Sequence, residues 1–513
     1  IFILYIFNAF INYCRYQLIL KLSLKIDISL MKDYFNHVLH LPSNFFDTRK
    51  SGEILQRFMD TSKIREALSS STVTLFVDTL MIIIGGILLY MQSSLLLLIT
   101  IIFIPLFIFC SYFLHKPFKK YNQKVAENNA ELSSYLIESF EGINTIKNYQ
   151  SEDIRFNQGT TKFNNLIENV LKLGRFTNIQ FTINNFLKLA ISLVILWLGS
   201  YLVMDNKMTL GSLLAFNALT VYYLDPIERL INIQPTIQSS IVAARRIVEI
   251  TDLETEQELN ISKLPFSFEK KLTFKHVNFQ YGFRDTVLTD INLEINKGEK
   301  VAIVGESGSG KSTIGKLINR YYDILEGEIA IDGQNLKDID LKDFRKHIGY
   351  VSQDTFLFAD TIKNNLIYGS NKNKDERSVI EACKLAESID FIQKLPDQFN
   401  TMLEKKGNNL SGGQSQRLSL ARTFLKDPDI YIFDEATSAL DSITEQKVMK
   451  HIDELNKKNK TVIIISHKLS TINNADMIYV LKDGKIKEQG KHEELIKYKG
   501  EYNNLWHLQM KLG

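Results

Sequence analysis

Residues 73–114 form a run of 42 positions in which Asp78 is the single charged side chain. Roughly 20 apolar residues cross the hydrocarbon layer of a bilayer as a helix, and a soluble core has no use for a run twice that long. Gln92, Ser93 and Ser94 break the run at its middle, so it reads as two spans joined by a tight turn. A second pair follows at residues 189–204 and 208–224, separated by Asp205 and Asn206. Residues 1–20 make a fifth, weaker span, because Asn8, Asn12 and Arg15 interrupt it and require packing inside a bundle. Residues 251–513 contain no comparable run.

Loop charge orients these spans, since Lys and Arg are retained on the cytoplasmic side. Residues 21–72 carry eight such side chains and residues 115–175 carry nine, whereas the two short turns together carry Lys207 alone. The long loops are therefore cytoplasmic. Leu132, Leu136 and Phe140 recur at helical spacing, which predicts helices continuing out of the membrane rather than loose linkers. With the second half in the cytosol, five spans would leave Ile1 outside the cell. A sixth span before Ile1 restores an even count, so the sequence is expected to be an N-terminally truncated piece. Asp78 lies near the cytoplasmic end of its span, where a carboxylate reaches water or a neighbouring helix, and a proton-relay role is the weaker reading. Pro105 inside its span predicts a kink.

The mean hydropathy of −0.07 averages these two unlike halves, and the formal net charge of +3 gives no reason to expect nucleic acid as a partner. Cys14, Cys110 and Cys383 are too scattered for a disulfide framework or a zinc cluster. Residues 251–270 turn polar, with Glu254, Glu256 and Glu258 close together, and read as a linker. The expected organisation is a membrane domain over 1–250, this linker, and a soluble domain over 271–513.

The soluble half carries phosphate chemistry. After the apolar strand Val301, Ala302, Ile303 and Val304 comes Gly305-Glu306-Ser307-Gly308-Ser309-Gly310-Lys311-Ser312-Thr313, which fits the G-x-x-x-x-G-K-[ST] pattern. Its glycines let backbone N–H groups curl around phosphate oxygens, Lys311 reaches the β and γ phosphates, and Ser312 offers a hydroxyl to Mg²⁺. The helix beginning at Thr313 points its positive end at the same anion. A second apolar strand, Ile430 to Phe433, ends in Asp434 and Glu435. These suit a metal-holding carboxylate followed by a base that orients the attacking water. A third strand, Thr461 to Ile465, ends in Ser466 and His467, within reach of a γ phosphate. Leu410-Ser411-Gly412-Gly413-Gln414, before another helical pattern, is a second anion site. Two phosphate sites with one lysine loop suggest a head-to-tail dimer that sandwiches each nucleotide between two copies. A hairpin around Asp483-Gly484 and a C-terminal helix close the domain.

Residues 272–513 resemble the nucleotide-binding domain of ATP-binding cassette (ABC) transporters, with Leu410 to Gln414 matching the signature motif. The resemblance implies an α/β P-loop NTPase domain with a signature subdomain, behind an all-α transmembrane bundle of which five of six helices are present. By matching positions, Tyr281 stacks on adenine, and Gly305, Ser307, Gly308, Ser309, Gly310, Lys311, Ser312 and Thr313 hold the phosphates of ATP. Gln353 of the Q-loop, with Ser312 and Asp434, holds Mg²⁺, and Glu435, His467 and Lys311 are the catalytic groups. Ser411, Gly412, Gly413 and Gln414, with Asp441 of the D-loop, act across the dimer interface. One departure stands before the signature: Lys405 takes the position where many exporters have a carboxylate, with Glu404 one place earlier. It bears on the link to the intracellular loops and not on ATP chemistry.

The first half resembles exporter membrane domains. Leu41 to Asp47, then Gly52-Glu53-Ile54, Arg57 and Asp60, look like the first intracellular loop, and Glu138 to Lys147 like the second, each ending in a coupling helix. Leu213 to Leu219, Pro226, Gln234-Pro235, Gln238 and Phe58-Met59-Asp60 look most like bacteriocin and quorum-peptide exporters, which usually carry an N-terminal cysteine peptidase for double-glycine leaders. That domain would lie upstream, and Cys14 is no candidate nucleophile. The resemblance implies ATP-driven peptide export across a bacterial cytoplasmic membrane by a dimer, with a second copy or a homologous half-transporter, the peptide cargo and the lipid bilayer as partners. The alternative is a flippase for lipids or hydrophobic drugs.

Overall fold

The computed structural model describes residues 2–49, 51–260, 264–370 and 375–512. The side chains of Asn8, Asn12, Cys14, Arg15, Gln234 and Pro235, all singled out by the sequence, lie outside the described residues. The chain divides into two compact units, Ile1–Phe35 with Ile54–Ile250, and Asn36–Glu53 with Thr251–Gly513.

From the N-terminus the helices are α1 (Phe2–Leu39), α2 (Ser43–Thr48), α3 (Ser51–Glu66), α4 (Thr72–Gln92), α5 (Ser94–Glu141), α6 (Ile143–Asn148), α7 (Glu152–Met204), α8 (Leu210–Asn232), α9 (Gln234–Thr251) and α10 (Glu256–Leu259). α5 and α7 run far beyond their apolar stretches, as the helical spacing of Leu132, Leu136 and Phe140 predicts. α5 remains one helix of 48 residues through both Pro105 and Pro117. Among the described residues, Gly52–Gln92, Ser94–Glu141 and Glu152–Met204 are long and apolar enough to cross a membrane. The expected spans at 1–20 and 208–224 are helical, within α1 and α8, but fall outside that set. α8 ends in Asp225, Glu228 and Arg229, and the second half of α1 is charged, which dilutes both as apolar segments.

The first unit's core is built by Leu89, Leu96, Phe107, Ile191, Ile195, Leu213 and Phe216 from α4, α5, α7 and α8. Asp78 lies within this bundle at 1% exposure, and Arg229 donates to both its oxygens at 2.9 and 2.8 Å. The partner expected for Asp78 is thus a cation on α8.

The second unit has strands β1 (Lys271–Gln280), β2 (Thr286–Asn296), β3 (Lys300–Gly305), β4 (Glu326–Ile331), β5 (Gln334–Asn335), β6 (Ile348–Val351), β7 (Ile430–Asp434), β8 (Thr461–Ile465), β9 (Met477–Lys482) and β10 (Lys485–Gly490). Its helices are α11 (Lys311–Ile318), α12 (Leu341–Lys346), α13 (Ile362–Ile367), α14 (Glu376–Leu385), α15 (Ile389–Lys394), α16 (Gly412–Lys426), α17 (Ser442–Lys457), α18 (His492–Lys497) and α19 (Glu501–Leu512). One sheet has the antiparallel order β2-β1-β4-β5, and the other the order β10-β9-β3-β8-β7-β6. In the second sheet β3, β6, β7, β8 and β9 run parallel and β10 returns as the expected hairpin. β3, β7 and β8 are almost wholly apolar because both sheet faces are covered: Ile303, Ile432 and Ile463 pack into a core with β1, β2 and α11. Ala302, Phe433 and Ile464 face a second core with α14, α16 and α17.

Two polar segments pack into the second unit. Residues 36–53, read as part of the membrane half, group with the second unit. There α2 buries Phe45, Asp47 accepts a hydrogen bond from the Tyr322 hydroxyl, and the Glu256 amide donates to His40 O. The stretch read as a linker is folded onto the same unit. Thr255 and Glu258 form a capping box at α10, Arg345 grips both oxygens of Glu256 at 2.7 and 3.0 Å, and buried Asn260 donates to Ile339 O at 3.0 Å. Glu256 and Asn260 are tied down by these bonds while Asp252, Glu254 and Glu258 face solvent, and residues 261–263 lie outside the described set.

Candidate active site

Strand register brings the motif ends together. Ile303 of β3 stands beside Ile465 of β8, and Ile465 beside Asp434 of β7. The carboxyl ends of three parallel strands thus deliver Gly305, Ser466-His467 and Asp434-Glu435 to one edge, which is where open α/β sheets bind ligands. Gly305 has φ +152°, and a Cβ there would lie 2.1 Å from Leu481 O on β9. Glycine is required at this turn by close backbone approach as well as by conformation. Gly305→Ala is expected to cost ~2–4 kcal/mol of stability and to abolish nucleotide binding. Thermal unfolding of the purified chain checks the first effect and titration with a fluorescent ATP analogue the second; an unshifted unfolding curve would contradict the steric argument.

Beyond Gly305 the loop turns into α11. Lys311 Nζ donates to the carbonyls of Gly305 and Glu306 at 3.0 and 2.7 Å, so the ammonium is held over the loop. Burial lowers its pKa, opposed by the carboxylates of Glu435 and Asp434. Ser312 Oγ donates to Asp434 Oδ1 at 2.9 Å, and the Tyr350 hydroxyl donates to Asp434 Oδ2 at 2.8 Å. Burial raises the pKa of Asp434, against the lowering effect of those two hydrogen bonds. Ser309 Oγ is buried without a hydrogen-bond partner among the described residues. An unmet hydroxyl inside a loop of backbone N–H groups fits a phosphate. The oxygens of Ser312 and Asp434, side by side, fit a hard cation such as Mg²⁺.

Glu435 is the hub of the second layer. Its backbone takes φ +49°, its N–H donates to Ile465 O at 2.9 Å, and its side chain is 17% exposed. Gln353 Nε2 donates to Oε2 at 2.8 Å, and His467 Nδ1 lies 3.1 Å from Oε1. A left-handed conformation at a non-glycine residue is sparsely populated and persists where its surroundings impose it. The three residues form one hydrogen-bonded row beside Asp434. Tyr281 sits at the loop through its hydroxyl, 3.0 Å from Thr313 Oγ1, with its ring edge-on to Phe279 and Tyr322.

The signature residues stand apart from this row. Ser411 caps α16 with its hydroxyl on Gln414 N, and Gln414 Oε1 accepts from Ser411 N at 2.9 Å. Gly412 and Gly413 open the helix, and a Cβ at Gly413 would lie 2.8 Å from Ala439 O. Asp441 caps α17, and hydrogen bonds from Thr444, the backbone N–H first, lower its pKa. Lys405 is exposed, and the Glu404 amide donates to Asn409 Oδ1. Three contributors escape sequence reasoning. Tyr350 takes the second oxygen of Asp434; Gln416 joins α16 to the end of β7, donating to Glu435 O at 3.1 Å and accepting from Ala439 N at 3.0 Å; Gln509 donates to His467 O. Tyr350 and Gln416 each lie within three residues of a motif position, but a sequence does not say which neighbours face inward.

The family pattern "ABC transporter transmembrane region" matches residues 1–227, and "ABC transporter" matches residues 288–438. The chain is 41% identical over 504 residues to the lactococcin-G-processing and transport ATP-binding protein LagD of Lactococcus lactis subsp. lactis, covering 98% of this chain and 71% of that protein. It is 38% identical to the transport/processing ATP-binding protein ComA of Streptococcus pneumoniae, covering 98% and 70%. An ATP-dependent lipid A-core flippase of Desulfotalea psychrophila is 35% identical, with 98% and 88% covered. Among solved structures, a bacterial Atm1-family ABC exporter with ATP bound superposes with a TM-score of 0.87 at 26% identity, covering 98% of this chain and 88% of that one.

Proposed function

Because the chain belongs to the ABC exporters that fuse a transmembrane region to an ATP-binding domain, we propose that it moves a peptide across the bacterial cytoplasmic membrane at the expense of ATP. It is a multi-pass membrane protein with a cytoplasmic ATP-binding domain, and its ATP hydrolysis is coupled to transport. The peptide cargo, of the double-glycine-leader class, is supported by one observation above all. Over the same 98% of the chain, membrane half included, identity is 41% to LagD and 38% to ComA against 35% to the lipid A-core flippase.

In this reading the loop from Gly305 to Thr313, with Ser307, Gly308, Ser309 and Gly310, wraps the phosphates, while Tyr281 supports the adenine. Ser312 and Asp434, with Gln353, would hold Mg²⁺, which would supply positive charge against the phosphates. Lys311 gives its ammonium to the same oxygens. Glu435 Oε2 or Oε1 accepts the proton of the attacking water, and His467 and Gln353 hold that carboxylate in place through the bonds described. Ser411, Gly412, Gly413, Gln414 and Asp441 bond within their own helix ends and serve the nucleotide of a second copy, which makes the working species a dimer.

Reconstitution in liposomes tests the cargo. ATP-dependent accumulation of a fluorescent peptide whose leader ends in Gly-Gly is the expected result, competed by the unlabelled peptide. The flippase reading rests on the 35% identity to the lipid A-core flippase. ATP-driven lipid movement without peptide accumulation would favour it and overturn peptide export.

A further inference from the structure

The membrane half holds a second polar constellation that ATP chemistry does not use. Lys188 Nζ of α7 lies 2.7 Å from Asp225 Oδ1 and 2.5 Å from Glu228 Oε2, both on α8. Asn184, one turn before Lys188, donates Nδ2 to Glu228 Oε1 at 2.9 Å. Beside them Arg229 is committed to Asp78 through Nε and Nη2.

Its depth follows from the sequence. Lys188 directly precedes the apolar stretch 189–204, and Asp225 directly follows Leu224 at the end of the other. Each stretch rises about 1.5 Å per residue, so the external turn at Asp205 is roughly 24 Å away, and the constellation sits at the cytoplasmic rim of the apolar layer. Charged groups at such a rim face the bundle interior or a water-filled cavity rather than lipid tails. The side chains of Asp225, Lys188 and Glu228 keep 39%, 24% and 21% exposure, so they are reachable from that water.

The charges do not balance. Among the described residues, the three carboxylates Asp78, Asp225 and Glu228 share two cations: Arg229, bonded to Asp78 and also near Asp225 and Glu228, and Lys188, bonded to the latter two. One formal negative charge is uncompensated. Asn184 adds an independent sign. It is 2% exposed, one of its two amide N–H groups donates to Glu228, and its Oδ1 has no hydrogen-bond donor among the described residues. An unmet acceptor beside an uncompensated carboxylate suits a ligand that is cationic and rich in N–H donors.

We propose that Asp225, Glu228 and Asn184 form a seat for a primary ammonium group of the cargo, a lysine side chain or an α-amino group. Lys188 occupies the seat between passages, and the cargo ammonium exchanges with it. The inference rests on the peptide-export reading and adds to it a preference for cationic cargo at the cytoplasmic mouth of the bundle.

The test uses the full chain in liposomes and two synthetic peptides, identical except that lysines are replaced by glutamines and the N-terminus is acetylated in the second. Stimulation of ATP hydrolysis is read as the ratio of half-maximal concentrations within each variant, so a change in overall activity cancels. The wild-type chain is expected to favour the lysine peptide about fivefold at low salt, ~1 kcal/mol at 1.4 kcal/mol per decade. The preference should shrink at ~1 M salt, where the screening length is about 3 Å. The Asp225→Asn, Glu228→Gln double variant should bring the ratio to one, and Lys188→Met, which vacates the seat without touching the carboxylates, should raise it. A wild-type ratio of one, or a preference unchanged in both variants, overturns the seat. Should the double variant fail to fold, an unchanged ratio in Lys188→Met alone is decisive against it. Transport of both peptides without preference sinks the seat and leaves export standing, whereas stimulation and transport by neither peptide sinks the export reading itself.

Discussion

Replacing Glu435 by glutamine is expected to slow steady-state ATP hydrolysis by about 10²–10⁴-fold while ATP still binds within a few-fold of the wild-type affinity. The substitution keeps shape and the contact with Gln353 but removes the acceptor for the water proton. Lys311, Ser312 and Asp434, proposed to meet the phosphates and the metal, bond to the loop carbonyls, to each other or, for Asp434, to Tyr350, and not to Glu435. Binding and hydrolysis are thus carried by different oxygens. Phosphate release under saturating ATP, set against binding of a fluorescent ATP analogue, measures the two separately. The same variant should accumulate a nucleotide-bound dimer by size exclusion. Unaltered turnover would remove Glu435 from its role as base, and lost binding would mean that the row around Glu435 also shapes the phosphate site.

Arg229→Met is expected to destabilise the membrane unit by ~3–5 kcal/mol, because it strands an ionised Asp78 at 1% exposure with no counter-charge. Thermal unfolding of detergent-solubilised protein should show a clear drop. Adding Asp78→Asn to that variant should recover much of the loss, since the stranded charge is then removed as well. A single variant as stable as the wild type would mean that Asp78 finds another donor. The effect lies in folding, so ATP binding to the second unit should stay close to wild type.

How far the sequence reaches is clearest at these two sites. The residues proposed for ATP are legible because phosphate chemistry demands particular types at short spacing on the ends of apolar strands, and the signal is local. Gly305 to Thr313, Asp434-Glu435 and Ser466-His467 are each contiguous, and their meeting follows from parallel strands β3, β8 and β7 lying side by side. Tyr350, Gln416 and Gln509 are not legible in this way. Each is an ordinary residue whose role depends on which neighbour its side chain reaches across the fold. The pair Asp78 and Arg229 is separated by 151 positions, and the α7 to α8 constellation joins residues 37 to 44 apart. A one-dimensional reading sees such groups as isolated blemishes in apolar helices.

The boundary at residue 250 and the treatment of residues 36–53 show the same division of labour. Composition marks where apolar spans give way to polar chain, since bilayer and water select residues along the chain itself. It does not tell which body a polar segment joins. α2 belongs to the second unit because Phe45 is buried there and Asp47 meets the Tyr322 hydroxyl, and the apparent linker belongs there because Glu256 meets Arg345 and Asn260 meets Ile339. Residue type and near spacing were enough to mark the apolar and polar halves, the loop from Gly305 to Thr313 suited to phosphate and the carboxylates at the strand ends. The charge balance inside the bundle and the partners that orient Glu435 emerge in the packed fold alone, because burial and hydrogen bonding between distant segments exist only once the chain has packed.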